Sequence, residues 1–533
     1  MIRDSLILKG FHPDPSVIRV GETFYVANST FEWFPGVEIH ESVDLLNWKL
    51  TGHVLTSEAD LPMEGILNGG GVWAPCLSYD GEYYYVIFSI QHTFDEFTQD
   101  TDNYVTKSTD IHGPWSTPVY LNSGGFDASL FHDSDGRKWL LNMIWNENIG
   151  ENHFHGIELQ EFDAAANRLI GRRRRIYTGT ERGLVEGPHM YHIGNWYYLL
   201  TAEGGTAEEH CVTIARSRSV EGPFETYEKP ILTSHNHPER NIQYAGHGDI
   251  IDDGKGNWYL FHLGSRKKMF GGYSVLGRET FLQNLRWENE WPVLAEGNTP
   301  KDVVEIPDCD CAAQSLQNDA FYQEYMFDTE ALPPQFMFRR KPLGDRMSLT
   351  ERPGYLALHG RETLSSEFAS TLTAVRIQEP EFIVSTSVDY LPCDIRQRAG
   401  LLFYYHSADY YYLYIGFDDT ENRRYLQLIR RDCRKTRMML DTRIWLEETG
   451  EVELQGDFTP EGITFSWRYG KEDAVWEKLP VDREQCPVTI LSDEYANVCG
   501  EQGFTGTFVG IGTQDLTGGK KPAYFRYFRI SRR

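Results

Sequence analysis

The chain has 533 residues, with 51 basic and 78 acidic side chains and a formal net charge of −27. That length exceeds one ordinary hydrophobic core and predicts two domains. The acidic balance excludes nucleic acid and anionic membrane surfaces as expected partners, because both are held by basic patches.

An apolar content of 40% with 24% charge is that of a globular protein, and the 14% aromatic content suits strands and sugar-stacking surfaces. No window approaches 18 consecutive apolar residues, so no membrane-spanning helix is expected. The start, Met1-Ile2-Arg3-Asp4-Ser5, lacks an apolar signal region. The eight cysteines are too sparse for a disulfide framework, and Cys309-x-Cys311 has no second pair at metal-site spacing. All eight are read as reduced thiols, and the expected location is cytoplasmic.

A two-part phrase recurs through the first 300 residues: a short apolar strand, a polar turn, then an aromatic-rich strand. Its copies begin at Asp14, Ala74, Asp127, Glu186 and His247, with turns at Gly21, Gly81, Gly136, Gly194 and Gly254–Gly256. Gly-, Asp- and Asn-bearing turns between apolar runs are hairpin signals. The copies are 60, 53, 59 and 61 residues apart. Five similar periods with room for four strands each predict a five-bladed β-propeller over 1–300, against an irregular sandwich as the plainer reading. Residues 301–320 fit neither pattern and are expected to link two domains. From 321 to 533 the period is lost but short strands continue, including Arg398–Tyr405 and Tyr410–Ile415 about a Ser407-Ala408-Asp409 turn. That pattern predicts a C-terminal β-sandwich. The fold class is therefore all-β.

Equivalent positions on innermost propeller strands converge on the axis, so Asp14, Asp127, Glu186 and His247 are expected to meet there. Like charges in a poorly solvated cleft raise one another's pKa. That suits chemistry needing one carboxyl protonated and another ionised, as glycoside hydrolysis does. Turn-capping residues or a carboxylate metal cage are the alternatives. Phe31, Trp73, Trp145 and Asn146 flank the same strand ends, where flat rings suit the C–H faces of sugars. Neither a phosphate loop nor HExxH or G-x-S-x-G is present.

Phe11-His12-Pro13-Asp14-Pro15-Ser16, Gly71-Val72-Trp73-Ala74-Pro75, Phe126-Asp127-Ala128-Ser129, Val185-Glu186-Gly187-Pro188-His189, Gly246-His247-Gly248, Leu276-Gly277-Arg278-Glu279-Thr280 and Gly503-Phe504-Thr505-Gly506 together resemble glycoside hydrolase family 43, in its long type with an appended β-sandwich. The resemblance implies an exo-acting, inverting β-D-xylosidase that releases xylose from short β-1,4-xylo-oligosaccharides. It implies Asp14 as general base, Glu186 as general acid and Asp127 as the residue that tunes the acid. It further implies that Phe31, Trp73, Trp145, Asn146, His247 and Arg278 line the pocket and that Phe504 closes it. Relatives with an Ala-Asp-Phe-Asp-like final strand can hold calcium there. Ala523-Tyr524-Phe525-Arg526 lacks those acids, so no cofactor is expected to be required and that strand does not support a calcium ion, although His247 leaves a cation on the propeller axis open. An α-L-arabinofuranosidase of the same family, or a dual activity, is the nearest alternative. A non-catalytic sugar-binding propeller is the alternative of a different class, and a homo-oligomer is left open.

Overall fold

The computed structural model describes residues 2–95, 97–307, 321–471 and 473–533. Most of the expected linker, with Cys309 and Cys311, lies outside the described residues. The chain forms two compact units. One holds residues 2–61, Gly70–Arg266 and 278–307; the other holds Pro62–Gly69, Lys267–Gly277 and 321–533.

The first unit is the five-bladed propeller. Blade one pairs Ser16–Val20, Thr23–Asn28, Gly36–Ser42 and Lys49–Leu55 in chain order, and blade two pairs Gly71–Tyr79, Tyr84–Phe94, Gln99–Ser108 and Val119–Asn122. Blade three runs from Ser129–His132 through Lys138–Trp145 and Phe154–Asp163 to Arg168–Tyr177. Blade four begins with Glu186–Ile193, Trp196–Glu203 and Cys211–Ser217, and blade five with Gln243–Asp252, Trp258–Ser265 and Glu279–Glu288. The hairpin glycines 21, 81, 136, 194, 254 and 256 all take positive φ, so each turn signal is used as expected.

The ring closes with the amino-terminal strand Leu6–Leu8, which pairs with Glu279–Glu288 through Leu6↔Phe281 and Leu8↔Thr280. The apolar core lies between blades. Cys76, Tyr85 and Ile87 of blade two pack with Leu130, Leu140 and Phe162 of blade three, and Val17, Phe24 and Val26 of blade one with Phe261 and Leu282 of blade five. Every blade thus buries a face against its neighbour, which stabilises the ring far more than any single hairpin could.

The inner strands carry a shared kink. Asp14, Ala74, Asp127, Gly187 and His247 all have positive φ, between 34° and 56°. In blade four the equivalent residue is therefore Gly187, and Glu186 stands one position earlier than the repeat predicts. Ladder registers shift at Trp73/Cys76, Glu186/His189 and Gly246/Gly248, which marks bulges at the same level. Left-handed backbone is costly for residues other than glycine, and such positions concentrate at functional sites.

The second unit is a β-sandwich of two antiparallel sheets. One orders Met347–Ser348, Leu356–His359, Pro522–Ser531, Phe382–Asp389, Val452–Thr459, Gly462–Tyr469 and Glu477–Lys478, with Glu324–Met326 on Pro522–Ser531. The other orders Thr371–Arg376, Phe508–Asp515, Gln397–His406, Asp409–Asp418, Arg423–Asp432 and Lys435–Met438, with Ile444–Trp445 on Arg423–Asp432. Phe382, Phe403 and Phe458 stack at 4.9–6.3 Å within the core. A Cβ on Gly456 would lie 2.5 Å from the Phe403 ring, so only glycine lets the sheets approach there. Pro62–Gly69 joins this unit because Asn68 donates to Ser407 Oγ at 2.9 Å and Arg340 Nε to the Ile66 carbonyl at 2.7 Å.

The thiol reading needs correction. Cys433 and Cys499 form a disulfide, while Cys76, Cys211, Cys393 and Cys486 are free. The pair is 66 residues apart in sequence but 5.1 Å apart between Cα atoms, a proximity that spacing alone cannot reveal. The cytoplasmic expectation rested partly on reduced thiols and loses that support. Among the described residues no helix is long and apolar enough to cross a membrane.

Candidate active site

Asp14, Asp127, Glu186, His247 and Arg278 come together at the inner strand ends of the propeller, each 4–7% exposed. Asp14 sits just ahead of Ser16–Val20. Its Oδ2 accepts the Ser29 hydroxyl at 2.6 Å, and its Oδ1 lies 3.8 Å from both Arg278 Nη1 and His247 Nδ1. Asp127 Oδ2 accepts the Gly187 backbone N–H at 3.0 Å and lies 4.0 Å from His247 Nδ1. One ligand atom each from Asp127, Glu186 and His247 falls within 4.8 Å of the other two.

Burial, followed by the charges of Asp127 and Asp14, holds the Glu186 carboxyl well above the ordinary range; Arg278 opposes the shift. Burial and Asp14 also raise Asp127, against the lowering effect of the Gly187 N–H and Arg278. A hydrogen bond received by a carboxylate favours its charged form. The proton shared by the pair is therefore assigned to Glu186. Burial pushes the His247 imidazole down to about 4, so it is neutral at pH 7. A Cβ on Gly187, at φ +56°, would meet that imidazole at 3.1–3.3 Å. Gly187 thus permits the turn and leaves room for the ring.

The aromatic residues form a connected wall. Phe31 is buried with φ +49°, and its ring centroid lies 6.0 Å from that of Trp73 and 5.5 Å from the Arg278 guanidinium carbon. Trp73 is half-buried and continues to Phe126 at 5.4 Å, which in turn lies 6.4 Å from Trp145. Trp145 stacks on His153 and donates from Nε1 to the Phe97 carbonyl at 3.1 Å. Asn146 is held by its own loop, donating to Glu151 Oε2 at 3.0 Å. Phe504 belongs to the sandwich unit, where it is half-buried on the loop after the short helix Asp493–Val498 and lies beside Gly69.

Sequence reasoning missed Ser29. Its hydroxyl binds Asp14 and accepts the Ala74 N–H at 2.7 Å, joining blades one and two at the site. The only signal was its place directly after the second strand of blade one. In the final strand, Tyr524 donates to Glu351 at 2.8 Å and Arg526 lies 3.8 Å from Glu451.

A carboxyl kept protonated beside carboxylates, with a connected run of aromatic rings alongside, is the equipment of a glycosidase. Comparison with known proteins agrees at the level of the whole chain. The family described as glycosyl hydrolases family 43 matches residues 4–292, and the β-xylosidase C-terminal concanavalin A-like domain matches residues 324–531. The chain belongs to glycoside hydrolase family 43. It is 42% identical to a β-xylosidase of Bacillus subtilis (strain 168), with 98% of each chain covered. It is 41% identical to xylosidase/arabinosidase 43B of Humicola insolens, covering 98% of this chain and 96% of that one. A crystal structure of xylan β-1,4-xylosidase from Bacillus halodurans C-125 superposes with a TM-score of 0.94 at 42% identity, over 99% of each chain.

Proposed function

We propose that this enzyme is an exo-acting β-D-xylosidase that removes xylose from the non-reducing end of short β-1,4-xylo-oligosaccharides with inversion. Glu186 donates its proton to the glycosidic oxygen as the C–O bond breaks. Asp14 takes a proton from the water that attacks the anomeric carbon from the opposite face. The products are α-xylose and the shortened oligosaccharide. The donated proton and the abstracted one balance, leaving Glu186 ionised and Asp14 protonated until solvent resets them. Asp127 keeps the Glu186 pKa high, and Arg278 keeps negative charge tolerable at Asp14. Phe31, Trp73 and Trp145 offer apolar faces to the sugar, with His247 as a neutral hydrogen-bonding partner.

The observation that carries this reading is the raised Glu186 carboxyl buried beside Asp127 and Asp14. The names of the similar proteins support xylose as the sugar. The dual name of the Humicola insolens relative favours α-L-arabinofuranosidase activity as a second reading. Assays of aryl β-D-xyloside and aryl α-L-arabinofuranoside side by side decide between them. A higher kcat/KM on the xyloside supports the first reading, and a higher value on the arabinofuranoside overturns it.

A further inference from the structure

Asp14 is reached through a short segment that two blades hold at once. In blade five, three consecutive residues grip it. The Glu279 carboxylate accepts the Gly10 N–H at 2.8 Å, the Arg278 carbonyl accepts the His12 N–H at 2.9 Å, and Thr280 Oγ1 donates to the His12 carbonyl at 2.6 Å. Glu279 is itself fixed by Arg266, whose Nε and Nη2 donate to it at 2.7 and 2.8 Å. In blade one, Asn28 ends the strand Thr23–Asn28 and donates from Nδ2 to the Pro13 carbonyl at 2.8 Å and to Thr280 Oγ1 at 3.1 Å. Asn28, Glu279 and Thr280 have no exposed surface.

These bonds have one consistent direction. The Pro13 carbonyl can only accept, so the Asn28 amide NH2 faces it, and the second amide hydrogen goes to Thr280. The single hydroxyl hydrogen of Thr280 then goes to the His12 carbonyl. Proline has no N–H, so hydrogen bonds can hold the His12–Pro13 peptide plane only through its carbonyl, and Thr280 does so. Asn28 holds the next plane, between Pro13 and Asp14. Asp14 leaves that plane at φ +51°, a left-handed angle that is costly for a residue with a side chain and persists only where the surroundings impose it.

We infer that Asn28 and Thr280 are positioning residues for the reaction: their hydrogen-bonded pair sets the main chain that aims the Asp14 carboxylate at the attacking water. The inference rests on Asp14 as the general base. Neither side chain takes or gives the reacting protons, and both act through Asp14. The work is divided between neighbours. Asn28 holds the backbone ahead of Asp14, and the next residue, Ser29, holds its side chain through Oδ2 at 2.6 Å. A misplacement of about 1 Å can cost about 100-fold in rate. Loss of the pair should therefore slow turnover while leaving sugar binding nearly intact.

The test is a double-mutant cycle on the full-length enzyme with an aryl β-D-xyloside, using Thr280→Val, Asp14→Asn and the two combined. Thr280→Val keeps the side-chain shape and removes the hydroxyl. It should lower kcat by about 10–100-fold with KM little changed, and Asn28→Ala should follow the same pattern. Thr280→Ser, which keeps the hydroxyl, should retain most of the activity. In the Asp14→Asn background, Thr280→Val should cost less than about 2-fold, because a group that acts through Asp14 has nothing left to aim. If Thr280→Val does not fold, Thr280→Cys, with its weak thiol donor, takes its place in the cycle with an expected loss of about 3–10-fold. The inference is overturned if the Thr280 variant keeps wild-type kcat, if only KM rises, or if the two losses multiply in the combined variant. Failure of the general-base reading looks different: Asp14→Asn alone would then turn over at nearly the wild-type rate, and the inference would fall with it.

Discussion

The Ser29 hydroxyl donates to Asp14 Oδ2 at 2.6 Å while it accepts the Ala74 N–H at 2.7 Å. One side chain therefore fixes the orientation of the proposed base and ties two blades together. Ser29→Ala should lower kcat by about 10-fold with KM little changed, since a misplaced base mainly affects turnover. Ser29→Thr, which keeps the hydroxyl, should recover part of the loss. An increase in KM alone would count against a positioning role.

Asp14→Asn should remove water activation and cost about 10²–10⁴-fold in kcat. NMR of early turnover by the wild type should show α-xylose as the first product from a β-xyloside. β-Xylose appearing first would falsify inversion.

Glu186→Gln keeps the shape and removes the proton. Its loss should be large on natural xylo-oligosaccharides and small on aryl xylosides whose leaving groups need no protonation. Equal losses on both substrate types would remove Glu186 from the acid role.

The same variant has a stability signature. Glu186 has a raised folded-state pKa, so its contribution to stability is fully present below the unfolded carboxyl pKa and is lost as pH rises toward the folded value. Glutamine carries no such dependence. Glu186→Gln should therefore melt higher than the wild type at pH 7, with the gap closing toward pH 4 in thermal scans. A gap that widens on acidification would contradict the assigned proton.

Buried histidines act in the opposite direction. His132, His247 and His262 are pushed down to about 4 and His210 to about 3, in each case chiefly by burial. Unfolding releases them to an ordinary pKa near 6.5, so the unfolded state binds more protons below that pH. Their share of stability is complete above about pH 6.5 and drains away between there and about pH 4. Urea midpoints should fall across that window, and His262→Gln should flatten the slope if it folds. His262 is buried on Trp258–Ser265 of blade five and stacks on Phe281.

The sequence by itself determined the first two strands of each repeat, the hairpin turns between them and the residues that reach the axis. Those signals are local: a glycine at φ +62° in the turn at Gly21, or alternating apolar residues in Thr23–Asn28, are set by neighbours a few residues away. The sandwich strands about Ser407–Asp409 were legible for the same reason. What only the tertiary structure decided involves partners far apart in the chain. Leu6–Leu8 closes blade five across more than 270 residues, Cys433 meets Cys499, and Pro62–Gly69 joins the sandwich unit. The one-residue offset that makes Gly187 the kinked position of blade four needed backbone angles. Periodicity records which face a residue takes; only packing records which other residue it finds there.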